Sequence, residues 1–315
     1  MGLRPTQSRS HERRNKNKTR SNKTTMKNAT STMKSLLAST AAAGMLAVCH
    51  GAPAQNADAA NEDAEKQQST VDEIVQNSNW RSYYQGQDGR ARVKMTISEK
   101  DGDTRNREFT ILRRDSTPEG VEDKEFTGKQ KFYVYFHRPA DVNEMVFMVW
   151  KHLDTDDDRW LYLPALDLVK RIAASDKRTS FVGSHFFYED VSGRSVNLDT
   201  HELQEETDNY YVLKNTPKDP KNVEFAYYTM WIHKESFIPV KTEYYDDKGN
   251  KYRVYEALKV EPIEGFLTVT QSRMKDLDSG GQTTLDYSNV TYNLDLPDDL
   301  FSERYLRRAP RKYLR

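Results

Sequence analysis

Between Arg90 and Asn293 the chain alternates apolar and polar side chains with a period close to two, in short runs separated by turn chemistry. Twelve segments read as strands: Arg90–Ser98, Arg105–Arg114, Lys131–His137, Met145–Lys151, Arg159–Leu163, Leu168–Ala173, Tyr210–Asn215, Glu224–His233, Val240–Tyr245, Lys251–Val260, Phe266–Lys275 and Thr283–Asn293. Asp101-Gly102, Lys248-Gly249-Asn250 and Gly280-Gly281 supply the positive φ angles that hairpin turns require. No second long helical period interrupts this series. The pattern predicts one large antiparallel sheet or barrel in a single domain.

The faces of these strands differ. Arg90–Ser98 sets Ala91, Val93, Met95 and Ile97 against Arg92, Lys94 and Thr96, so one of its faces is wet. Lys131–Phe136, Met145–Trp150 and Glu224–His233 are apolar or aromatic on both faces. Such strands must be covered twice, or line a cavity on one side. The one helix predicted starts at Thr70-Val71-Asp72-Glu73, which has the spacing of a capping box, and runs to about Tyr83 with Val71, Ile74 and Val75 on a narrow stripe. Its place is either across the mouth of a barrel or against an ordinary core.

The run Asp158–Val191, DRWLYLPALDLVKRIAASDKRTSFVGSHFFYEDV, joins two aromatic strands to a polar loop and then crowds Phe181, Phe186, Phe187 and Tyr188 around Gly183. The last part reads as a mobile apolar flap rather than a sheet strand. With Trp160-Leu-Tyr-Leu-Pro-Ala-Leu, Val169-Lys-Arg-Ile and Phe181-Val-Gly-Ser-His-Phe-Phe-Tyr-Glu-Asp, this run resembles the outer-membrane lipoprotein-sorting group, the LolA/LolB-like periplasmic carriers, in its uncharacterised branch; the resemblance extends over roughly Ser69–Phe301. It implies an unclosed antiparallel β-barrel, a half-barrel of about eleven strands, with helices and loops as a lid over an apolar cavity.

The zero net charge hides an asymmetry. Residues 1–34 hold ten Lys/Arg and one acid, Glu12, which leaves 38 bases against 47 acids in the remainder. An acidic domain argues against a nucleic-acid partner. The uncharged Ser35–Val48 and the small-residue site Ala52-Pro53-Ala54 turn residues 1–54 into a basic arm plus secretory signal peptide, with Met26 and Met33 as alternative starts, and place the mature chain in the periplasm. Arg13-Arg14 lies too far from the apolar segment to be a twin-arginine signal. Cys49, the only cysteine, follows Leu46-Ala47-Val48 in a pattern resembling a lipoprotein attachment site, so lipid anchoring there is the alternative to cleavage after Ala54. Residues 55–68 read as a flexible linker, 69–303 as the LolA-like domain and 304–315 as a basic tail with six Lys/Arg and no acid.

Catalytic chemistry finds little footing. The five histidines beyond the signal, His137, His152, His185, His201 and His233, form no zinc-binding pair, and no nucleophile elbow or phosphate loop is present. Asp154, Asp156 and Asp158 match the opening of a calcium loop, but Arg159 replaces its glycine and Ala165 its bidentate glutamate. Neither a metal nor a cofactor is expected. The candidate cavity and lid residues are Phe132, Phe136, Phe147, Trp150, Trp160, Tyr162, Phe181, Phe186, Phe187, Tyr228 and Met230, although most aromatic residues in strands simply pack a core. Arg178, Glu189 and Asp190 are candidate gating charges around the flap, exposed and weak. Two functions fit: a periplasmic carrier that shields the acyl chains of a lipid or lipoprotein, or an accessory docking on an inner-membrane exporter of the resistance-nodulation-division type.

Overall fold

Strand pairing in the computed structural model, which describes residues 70–117, 128–153 and 155–315, follows chain order almost throughout. Helix α1 covers residues 70–83. Thirteen strands follow: β1 (Asp88–Ser98), β2 (Thr104–Asp115), β3 (Gln130–Arg138), β4 (Val146–Lys151), β5 (Asp158–Leu163), β6 (Leu168–Ile172), β7 (Asp199–Glu206), β8 (Tyr210–Pro217), β9 (Tyr227–His233), β10 (Pro239–Tyr245), β11 (Lys251–Ile263), β12 (Phe266–Asp276) and β13 (Gln282–Tyr292). They form one antiparallel sheet in the order β6-β5-β4-β3-β2-β1-β13-β12-β11-β10-β9-β8-β7. Edge strands β6 and β7 do not pair with each other, so the barrel stays open.

This order explains the flap. Every other connection between consecutive strands is a neighbour-to-neighbour link, but the chain leaves β6 at one edge of the sheet and must enter β7 at the other. The 26 residues between Ile172 and Asp199 bridge those edges by crossing one face of the sheet, carrying the short helix α2 (Tyr188–Ser192) with them. We call the crossed side the inner face.

All twelve predicted strands are present and β7 is the thirteenth, where the resemblance implied about eleven. Its sequence, DTHELQEE, buries little beyond Asp199 and carries mostly exposed acids, as an unpaired edge tolerates. The inner face holds a core of Val93, Met95, Phe109, Val134, Phe136 and Phe147, into which the flap inserts Phe181 and Phe186. Register places Val93 opposite Phe109 and Phe109 opposite Phe136, so one apolar stripe runs across β1, β2 and β3.

The outer face of β2–β5 has its own cover. Tyr133, Val146, Met148 and Trp160 pack against Leu296, Leu300, Phe301, Leu306 and Leu314 from the C-terminal segment, which includes helix α3 (Arg304–Arg307). Residues 304–315, expected as a solvated basic tail, are therefore part of the packed domain: their apolar side chains face the sheet while the six cations stay exposed. The double cover expected for β3 and β4 is met. β9 is not covered twice: its inner Tyr228, Met230 and Ile232 line a cavity, the other arrangement expected of such strands, while its outer Tyr227 and Trp231 are half-exposed beneath the ammoniums of Lys214 and Lys241, with Tyr227 stacked on Tyr245. Residues 1–69, with the expected signal peptide, Cys49 and linker, lie outside the described residues. So do residues 118–127 and Asp154.

Candidate functional site: a lidded apolar cavity

A cavity of about 390 Å³ lies between the inner face and its roof. Ala91, Met95, Phe109, Met274 and Leu285 supply its floor from the central strands; Leu213, Met230 and Ile232 line it from β8 and β9. The roof has two parts. Helix α1 lays Val71, Ile74 and Val75 on Leu213 and Ile232, so its narrow stripe faces the sheet. The flap adds Phe181, Phe186 and Val191 from the other side. Burial pushes the phenols of Tyr244 and Tyr287 up to about 12, which keeps these wall residues neutral.

The C-terminal end of α1 is pinned. Arg113 on β2 donates to the backbone carbonyls of Tyr83, Gln85 (2.7 Å) and Gly86, and Gln130 on β3 donates to Tyr83 O at 2.7 Å. These donors satisfy carbonyls that a helix end leaves without intrahelical partners. The buried Lys151 ammonium lies 5.2 Å from the Tyr83 ring and donates to the carbonyls of Ser192 (2.8 Å) and Gly193 (3.2 Å), joining helix to flap. Burial lowers its pKa to about 8, against the opposing pull of Asp157 and Glu189.

Gly193 is the point of closest approach. It takes φ +76°, and a Cβ there would overlap the Tyr83 ring. Gly193→Ala is expected to cost about 2–3 kcal/mol through overpacking. Hydrogen exchange should show faster opening of residues 70–83 than of β1–β3 in this variant; uniform protection across both would mean that Gly193 does not hold the lid.

The flap is latched by buried charge. Arg178 pairs with Glu189 (3.2 Å), Asp190 (3.6 Å) and Glu224 (2.5 Å); Asp190 also pairs with Arg253 on β11, and Arg194 with Asp199 at 2.8 Å. The Phe187 ring is flanked by the guanidiniums of Arg178 (4.8 Å) and Arg253 (3.9 Å). Arg178, Glu189 and Asp190, expected as exposed loop charges, thus meet as a buried network: the side chains of Arg178 and Glu189 are only 7% and 3% exposed. Arg253, Arg194, Asp199 and Lys151 are the partners that sequence reasoning missed. Arg253 is the third residue of β11, buried at an inward position that shares the parity of Tyr255, which is the signal that marks it.

The eleven candidate cavity residues divide by strand parity. Phe132, Phe181, Phe186, Tyr228 and Met230 line the cavity. Phe136 and Phe147 lie in the same inner core without reaching the lining, and Phe187 is held in the latch. Trp150, Trp160 and Tyr162 point to the outer face, where they pack beneath the C-terminal segment, because Trp150 and Trp160 share the outward parity of β4 and β5. Ser184 and His185 do not face each other: Ser184 Oγ bonds to Phe186 O, and His185 Nδ1 lies 2.8 Å from Thr283 Oγ1. Asp156, Asp157 and Asp158 are engaged by Lys177, Arg159 and Arg171. No cluster of His, Cys, Asp or Glu suited to a metal occurs among the described residues, and none of their helices is long and apolar enough to cross a membrane.

Fold and site together define an unclosed antiparallel barrel with a lidded apolar cavity. A family described only as an uncharacterised protein matches residues 128–308, more than half of the chain. A DUF1329 family protein from Desulfovibrio piger is 29% identical over 77% of this chain and 98% of its own, with a TM-score of 0.66. A putative outer-membrane lipoprotein-sorting protein domain from Vibrio parahaemolyticus is 28% identical over 78% of this chain and 100% of its own, also at 0.66. A LolA superfamily protein from Nitrosomonas europaea, 20% identical over 75% of this chain and 98% of its own, shares the fold at 0.57. No curated protein matches. The chain belongs to that uncharacterised family, and its fold is similar to those of the DUF1329 and LolA-superfamily neighbours.

Proposed function

We propose that this protein is a non-catalytic periplasmic carrier that holds the acyl chains of a lipid or lipoprotein in the cavity between α1, the flap and the sheet. The observation that supports this reading most directly is the cavity itself. Its 390 Å³ fall within the range of small-molecule sites, its floor is largely methionine, leucine and phenylalanine, and its roof is two elements separate from the strand ladder. Each methylene moved from water into such a site contributes about 0.8 kcal/mol, so affinity needs no chemistry. Met95, Met230 and Met274 suit a flexible chain because their side chains adapt to irregular contours. Phe132, Phe181, Phe186, Tyr228 and Met230 are the sequence-derived contacts retained in this reading, with the Arg178–Glu189–Asp190 latch as its gate.

Native mass spectrometry of the protein purified without detergent, followed by lipid extraction, tests the proposal. Stoichiometric acylated cargo is expected. Substituting Trp for Ala91 in the cavity floor should abolish that cargo while leaving the fold intact by circular dichroism. A protein that stays empty after incubation with membrane lipids would sink the carrier reading and favour docking on an inner-membrane exporter.

A further inference from the structure

The wall of this cavity carries an excess of positive charge. Five arginines line it, Arg81, Arg90, Arg113, Arg178 and Arg194, against a single carboxylate, Asp190. Three of the five are consumed by the fold. Arg178 and Arg194 serve the buried latch, and Arg113 is spent on the carbonyls that end α1 and on Asp115 at 3.5 Å. Arg81 and Arg90 form no ion pair among the described residues.

Arg81 is the more telling of the two. It sits on the last turns of α1, half-buried, and gives one hydrogen bond to a neutral partner, Gln85 Oε1 at 2.8 Å. Its Nε is buried and has no partner. The guanidinium also lies 5.2 Å over the Trp80 ring, but it has no ion-pair partner among the described residues, and an arriving anion supplies the one this half-buried cation lacks. Gln85 is held in turn by Leu267 O at 2.8 Å, and the adjoining wall presents the paired hydroxyls of Thr268 and Tyr292, 2.8 Å apart. The Gln85 amide and these hydroxyls are engaged within the fold, so the cation Arg81 stands beside satisfied polar groups at one part of a cavity whose floor is otherwise apolar.

Resting on the carrier reading, we infer that the cavity selects amphiphiles with an anionic head, carboxylate or phosphate, seated at Arg81 with the acyl chain along the apolar floor. Zwitterionic or uncharged lipids of the same chain length are the disfavoured class.

The test is a binding comparison on the full protein with oleate and oleyl alcohol, which share a chain and differ in head charge at mildly alkaline pH. The wild type is expected to hold oleate about tenfold more tightly, the scale of one charge-assisted hydrogen bond at a half-wet position. Arg81→Gln should erase that preference, bringing oleate and oleyl alcohol to similar affinity, whereas Arg81→Lys should retain most of it. Raising the ionic strength should narrow the wild-type gap. Substituting dioleoyl phosphatidylglycerol and its uncharged diacylglycerol counterpart distinguishes a phosphate head from a carboxylate. Equal wild-type affinity for oleate and oleyl alcohol, or a preference that survives Arg81→Gln, overturns the inference while the carrier reading stands. Binding of neither ligand class removes both.

Discussion

Replacing Phe181 with alanine is expected to lower the stability of the domain by about 3–4 kcal/mol, the range for emptying a fully buried aromatic site. Phe181 is 1% exposed, and its ring centroid lies 5.4 Å from Phe147, 5.6 Å from Tyr188, 5.9 Å from Phe136 and 6.2 Å from Phe109. It is the one flap residue that contacts rings from three sheet strands at once, which is why truncating it removes both buried area and several tilted or edge-to-face contacts. The turn that presents it is unusual: Val182 and Gly183 both take positive φ, 51° and 75°, and Phe181 N donates to Phe186 O at 2.7 Å across the turn. A β-branched residue in that region is strained, and the packing of Phe181 and Phe186, with the bonds of Ser184 N to Phe181 O and of His185 N to Thr283 Oγ1, holds it there.

Urea denaturation measures the total loss, and limited proteolysis within residues 173–198 reports whether the flap detaches first. Phe181→Leu should lose far less, about 1–2 kcal/mol, because leucine refills much of the site. A loss below about 1 kcal/mol for the alanine variant would mean that the flap rests on the sheet without contributing to its stability.

How far the sequence revealed this arrangement depends on which physical signal each part leaves. Period-two alternation is local, so twelve strands were legible from it, and the single wet face of β1 follows directly from Arg92, Lys94 and Thr96. β7 was not, because an edge strand with acids along it has no alternation to detect; what defines it is pairing with β8, register Leu203 to Leu213. Strand parity was legible too, but which parity faces the cavity is decided by topology. Trp160 and Leu161 are adjacent, and only the crossing of the flap over one side makes Leu161 inner and Trp160 outer. The ligand-facing role of the aromatic run at 181–188 was partly visible in its composition, whereas the buried latch was hidden. Arg178, Glu189 and Asp190 look like ordinary solvated loop charges until Arg253, 63 residues beyond Asp190, closes on them. The C-terminal segment misled for the opposite reason: six cations dominate its composition, while the apolar residues that fix it are fewer and spaced at about four, Leu306, Pro310 and Leu314.

The latch gives the second large effect, and its pH dependence separates charge from packing. Arg178→Met should destabilise the domain by about 3–5 kcal/mol at neutral pH, since the variant keeps the volume but leaves buried carboxylates short of a cation. Burial alone would raise the pKa of Asp190; the guanidiniums of Arg253 and Arg178 outweigh it and hold the carboxyl below its ordinary range. Glu224 is likewise raised by burial and lowered more strongly by its bond to Arg178, although a side chain 35% exposed is partly screened and contributes less. For a carboxylate with a depressed folded pKa, the stabilisation is complete above the unfolded value of about 4 and is lost as pH falls through the folded value. The wild type should therefore lose stability steeply below about pH 4, whereas in the variant these carboxyls titrate nearer their unfolded pKa and the acid limb flattens. Urea midpoints at neutral pH and near pH 3 should show the gap between the two proteins shrinking on acidification. A gap that stays constant would assign the role of Arg178 to its stacking over Phe187, Phe225 and Tyr244, at 4.8, 5.1 and 5.6 Å, and the flap would then be held by aromatic packing with its charges merely satisfied.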